Sequence, residues 1–71
     1  MSCYLKHMHW LFEALDIEYD KPNRQRVDGA IREVLGAPAE AKCPEVWSAM
    51  KGLSEVERSE MVFRVWELLA R

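Results

Sequence analysis

Leu53-Ser54-Glu55-Val56-Glu57-Arg58-Ser59-Glu60-Met61-Val62-Phe63-Arg64-Val65-Trp66-Glu67-Leu68-Leu69 is the stretch that decides the fold class. Ser54 followed three residues later by Glu57 is a capping box: the Ser hydroxyl accepts from the third helical amide, and the Glu carboxylate reaches back to the amide of the capping residue. Met61, Val62, Val65, Trp66, Leu68 and Leu69 then recur at spacings of three and four, with Glu57, Glu60, Arg64 and Glu67 on the other side. That period predicts an amphipathic helix over 55–69.

Upstream, Gly and Pro divide the chain into three more helical pieces. Pro44 is placed to open a short helix over 44–51 carrying Val46, Trp47 and Met50, which Gly52 would end. A longer helix is predicted over 23–35, with Val27, Ala30, Ile31, Val34 and Leu35 on one face, Asn23 as N-cap and Gly36 as C-terminal cap. In an alternative start, Asp20 caps the same helix and Pro22 is tolerated in its first turn. Gly29 lies opposite that face, where the close approach of another helix would account for it. The first helix is predicted over 3–15, with Tyr4, Leu5, Met8, Leu11, Phe12 and Leu15 as its stripe. Asp16 to Asp20, followed by Lys21-Pro22, closes it off.

The fold class that follows is all-α, a small single-domain bundle of about four short helices, with the third as a cross-piece between the second and the fourth. Leu5, Met8, Phe12, Leu15, Val27, Ile31, Val34, Leu35, Trp47, Met50, Val62, Val65, Trp66 and Leu69 are the expected core. On that assignment Trp66→Ala costs about 3 to 5 kcal/mol.

Composition narrows the function classes. At 71 residues, 49% hydrophobic and 31% charged, the chain has material for one core and too little interior for a deep catalytic cleft. The expectation is that it is not an enzyme. Glu13, Asp16, Glu55, Glu57, Glu60 and Glu67 take positions of solvated faces and caps, and no acid and base pair off. With no Gly-rich phosphate loop and no serine in a nucleophile context, no cofactor is expected either. There is no apolar run of about 20 residues and no charged-then-apolar leader, so neither a membrane span nor a secretory signal is expected, and the chain reads as cytoplasmic.

Two surfaces exceed what the core requires. Cys3, Trp10, Ala14 and Ile17 line a second side of the first helix, and Val56, Phe63 and Ala70 follow one another at intervals of seven outside the main face of the last. Trp10 and Phe63 are the residues most expected to be exposed or in an interface. Cys3, Trp10, Ala14, Ile17, Val56 and Phe63 are therefore the interaction candidates. The leading functional expectation is a small protein–protein interaction module, with another protein or a second copy of the chain as partner. Isolated exposed apolar residues are ordinary on so small a domain, which is the competing explanation.

The alternative expectation is a nucleic-acid-binding helical domain. The formal net charge is −2, but residues 1–20 carry Lys6 against four acids, while Lys21, Arg24, Arg26 and Arg32 follow against Asp28 alone. These four basic residues are the nucleic-acid candidates. Against them stand the near-neutral total and the acids Asp16, Glu18 and Asp20 beside the same phosphates.

A thiol or metal role for Cys3 and Cys43 ranks third. Cys3 and His7 share a helix face, with His9 and Cys43 as conceivable further ligands, but His7 and His9 point apart and no metal-binding motif supports the set, so no metal is expected. Free thiols are expected, on the ground that a reducing compartment disfavours a disulfide. Cys43, at a helix start beside Pro44, is a candidate for a lowered thiol pKa, weighed against the commoner role of a small buried hydrophobe. Arg58 alone breaks the patterning of the last helix, lying in its apolar sector, where it either snorkels past the core edge or pairs with an acid from the first helix.

Overall fold

Three helices begin at a side-chain cap or at a proline, which either satisfies a first-turn amide or removes one. Ser54 Oγ accepts from the Glu57 amide at 3.2 Å while Glu57 Oε1 accepts from the Ser54 amide at 2.9 Å, the complete capping box. The helix it opens spans Glu55–Leu69 (α4). Asp20, in extended backbone, accepts from the Asn23 amide at 3.0 Å and caps Lys21–Leu35 (α2), with Pro22 in the first turn. The Asp20 start therefore holds, and Asn23 is inside the helix, donating its side-chain amide to the Glu18 carbonyl. Cys43–Lys51 (α3) opens with Pro44 in its first turn and no side-chain cap.

The structure is a computed structural model and describes residues 4–38 and 40–70. Among them are four α-helices, one 3₁₀ turn and no strand, an all-α bundle. Its radius of gyration is 11.0 Å, matching the value of about 11 Å expected for a compact chain of this length.

The first helix departs from the single segment predicted over 3–15. Leu5–His7 form a 3₁₀ turn, Met8 leaves helical geometry at φ −125° and ψ 34°, and His9–Leu15 (α1) follow. Neither Gly nor Pro forces the break. Its cause is tertiary: the turn buries Tyr4, Leu5 and Met8 and brings the Tyr4 hydroxyl to Asp28 of α2, to which it donates a hydrogen bond. Asp28 also accepts from Arg32 Nε at 3.1 Å, and Arg32 Nη1 donates to the Ala41 carbonyl before α3. The network ties the N-terminal turn, α2 and the α2–α3 loop together, and no buried side-chain polar atom among the described residues lacks a partner. Burial, with the Asp28 hydrogen bond next, holds the Tyr4 phenol well above its ordinary pKa, so it stays a donor. The bond to Asp28 likewise raises the Arg32 guanidinium.

Helices α1 and α2 end alike. Asp16 and Gly36 are left-handed, at φ 57° and 69°. Amides of Ile17 and Ala37 reach back five residues, to Phe12 at 3.1 Å and Arg32 at 2.9 Å, which is the Schellman arrangement. Gly52, which was expected to act similarly, has φ −88° and needs no glycine. Gly29 also departs from expectation: a Cβ built there meets nothing within 4 Å, so no helix approaches closely.

The core consists of Tyr4, Leu5, Met8, Leu11, Phe12, Leu15, Val27, Ala30, Ile31, Val46, Met50, Met61 and Val65. α2 packs directly on α4, and α1 on α4, so α3 is not interposed between α2 and α4 as predicted. Val34, Leu35, Trp47, Val62 and Leu69 pack at the margin of the core, half-buried. Trp66 is the clear correction, being 55% exposed. The wide apolar face of α4 extends over more of the helix than two neighbours can cover. It is centred on Met61 and Val65, which leaves Trp66 beyond its edge.

Candidate interaction surface

α4 carries two apolar faces with different fates. At about 100° per residue, Val56, Ser59, Phe63, Trp66 and Ala70 fall within an arc of about 80°, and Val65 lies diametrically opposite Val56. Val65 is fully buried, whereas Val56 is 70% exposed and Phe63 59%. Ser59, Trp66 and Ala70 are exposed too. The spacing 56, 59, 63, 66, 70 alternates three and four, the a/d rhythm with which one helix meets another in a coiled coil. Only Ser59 interrupts its apolar character.

The two margins of this row differ. On one side the exposed Glu60 and Glu67 stand next to the row, with Arg64 beyond them. A shallow depression there is lined by Glu33 and Val34 of α2 together with Arg64, Glu67 and Leu68. On the other side the half-buried Val62 and Leu69 lead into the core. Beside Phe63 and Trp66 the row thus has an acidic, wet edge and an apolar, covered one.

The interaction candidates on the first helix do not join it. Cys3 lies outside the described residues. Trp10, expected to be exposed, is half-buried, and the Arg58 guanidinium sits over its ring at 5.3 Å from the centroid. This contact, rather than a pairing with an acid of α1, explains why a cation stands in the apolar sector of α4: its charge meets the π face of a ring on α1. Ala14 is exposed, and Ile17 is half-buried against the core behind the Asp16 turn. Trp66 is the residue that sequence reasoning missed. Extending the interval of seven between Val56, Phe63 and Ala70 to the intervening a/d positions would have found it.

The four basic candidates are not presented as one patch. Lys21 is exposed, while Arg24 stacks over Tyr19 at 5.0 Å. Arg26 donates to the Leu69 carbonyl at 3.1 Å, satisfying one of the free carbonyls at the end of α4. Arg32 is engaged with Asp28 and Ala41. The nearby depression beside α1 is lined by Glu13, Asp16 and Glu18 with His9, Phe12, Ile17 and Tyr19, an acidic neighbourhood unsuited to phosphate.

Cys43 is disulfide-bonded, which corrects the expectation of a free thiol and withdraws the thiolate reading at the start of α3. The histidines face different neighbours, His7 against the Trp47 ring at 5.3 Å and His9 against Tyr19 at 4.2 Å. Among the described residues no group of three or more His, Cys, Asp or Glu side chains is arranged to hold a metal ion, and no helix is long and apolar enough to cross a membrane. No protein-family model, curated protein or solved structure matches the chain.

Proposed function

We propose that this chain is a non-catalytic protein-interaction module whose α4 receives the apolar stripe of a partner helix along Val56, Phe63, Trp66 and Ala70. The observation that carries this reading is the a/d row itself. Three large apolar side chains, each more than half exposed, share one face of a firmly capped helix. Together they present a few hundred Å² of apolar surface, the scale on which a contiguous patch marks a binding site. Scattered exposed residues would not keep a register over four turns. The row also stands on a rigid element, because the opposite face of α4 is fixed by Met61 and Val65 in the core. A helix laid into such a row uses anchors at the same alternating spacing.

The test is titration of a synthetic amphipathic helix, with Leu at its a and d positions and Gln on both flanks, into the protein and into Phe63→Glu. Because Phe63 is exposed, the substitution leaves the core untouched. Saturable binding that weakens at least tenfold in the variant supports the proposal. Absence of saturable binding, or equal affinity of the two proteins, overturns it.

A further inference from the structure

Resting on that reading, we infer that the helix received by α4 belongs to a different protein and carries Lys or Arg along one flank only. The margins of the row are asymmetric. Glu60 and Glu67 flank Phe63 and Trp66 on the solvent side, and Glu33 of α2 lines the same depression as Glu67. Arg64 is the one basic residue lining that depression, opposite Glu33 and Glu67, and it also lines the adjoining one beside Phe63 with Glu60 and Glu67, so along this edge carboxylates outnumber guanidinium groups. The opposite margin is apolar and half-buried along Val62 and Leu69, beside Phe63 and Trp66, and carries a carboxylate only at the start of the helix, at Glu55. In helix pairs, residues flanking the a/d row choose the partner and its orientation through charge. A complementary helix therefore places ammonium or guanidinium groups beside Glu60 and Glu67 and keeps its other flank apolar or neutral.

The same geometry disfavours a second copy of this chain. Antiparallel pairing centred on Phe63 stacks the a/d row on itself but sets Glu60 of one copy near Glu67 of the other, twice over. Like charges in register oppose that association. A basic flank turns the same two contacts into ion pairs, each strengthening binding by up to about fivefold at low salt.

Three synthetic helices with the same Leu a/d row test this, one flank carrying Lys, Gln or Glu. At low ionic strength the Lys helix is expected to bind about tenfold tighter than the Gln helix, and the Glu helix weakest. The differences should collapse in about 0.5 M salt, where the screening length falls to a few Å. The Glu60→Gln/Glu67→Gln double variant should bring the three affinities close together. Equal binding of the Lys and Gln helices, or tightest binding of the Glu helix, overturns the charge inference while leaving the docking row in place. Failure of all three helices to bind overturns both. A dimer seen by sedimentation that forms more tightly than the Lys-helix complex also overturns the inference, because the row is then taken by a second copy.

Discussion

Val56 and Val65 provide an internal control for which way α4 faces. They are the same residue on the same helix, diametrically opposed, one 70% exposed and the other fully buried. Val→Ala removes two methylene equivalents, about 0.8 kcal/mol each when wholly buried. At Val65 the space left adds about 1 kcal/mol, if the volume of two methylenes is left unfilled at about 24 cal/mol per Å³. Ala is the better helix former by about 0.5 kcal/mol, a gain common to both sites. The net cost is about 2 kcal/mol at Val65 and about zero at Val56, where the small transfer loss and the propensity gain cancel. In a domain of this size that difference separates the two melting temperatures by about 10 °C. Thermal and urea unfolding followed by helical circular dichroism would measure it, with unchanged urea slopes confirming that only stability has moved. Equal losses at the two sites, or a larger loss at Val56, would refute the orientation of α4 and with it the docking row.

Other substitutions probe the remaining devices. Gly29→Ala should raise stability by about 1 kcal/mol, since the new methyl meets nothing and the helix gains propensity; a fall in melting temperature would reveal a close contact there. Tyr4→Phe should cost about 2 kcal/mol by removing the hydroxyl that bonds to Asp28. Because the folded-state phenol pKa is raised, its contribution is complete below the ordinary phenol value of about 10 and is lost as pH rises beyond it. The variant should therefore show a shallower loss of stability in alkali, and an identical alkaline slope would count against the buried hydrogen bond. Ser54→Ala should cost about 1 kcal/mol through loss of the cap, as read by urea unfolding. Bonds from Ser54, the backbone amide first, hold the Glu57 carboxyl below its usual pKa, so its contribution is present above the usual carboxylate range and lost as pH falls through the folded value. That acid dependence should disappear in Glu57→Gln, which keeps an acceptor for the Ser54 amide but does not titrate, and an acid limb of unchanged steepness there would argue against the capping box.

What the sequence revealed depended on how local the determining contacts were. α4 was legible to the residue because Ser54 and Glu57 settle its start among themselves. The start of α2 was legible as one of two choices, separated by whether Asp20 or Asn23 accepted the first amide bond. The break at Met8 was not legible, because it serves a hydrogen bond between residues 24 positions apart. Trp66 was misplaced for a related reason: a wide apolar face has no unique centre until its neighbours choose one. Val56 and Phe63 stood out by their interval of seven, but Trp66 completes the row only once the core has been assigned to Met61 and Val65. Trp10 looked equally exposed until Arg58, an oddity in the pattern of α4, proved to cover it. The free-thiol expectation at Cys43 rested on an assumed compartment rather than on any residue, and the disulfide removed it.

The central claim is that the Val56, Phe63, Trp66 and Ala70 face of α4 is where another helix docks. Amide and indole nuclear magnetic resonance shifts, recorded while the Gln-flanked amphipathic helix is titrated in, address it most directly. The account predicts saturating shifts confined to residues along the outer face of α4, from Val56 to Ala70, with the Trp66 indole among them and α2 between Lys21 and Arg32 unmoved. Saturating shifts centred on that part of α2, or on α1 around Trp10 and Ala14, with a silent Trp66 indole, would contradict it.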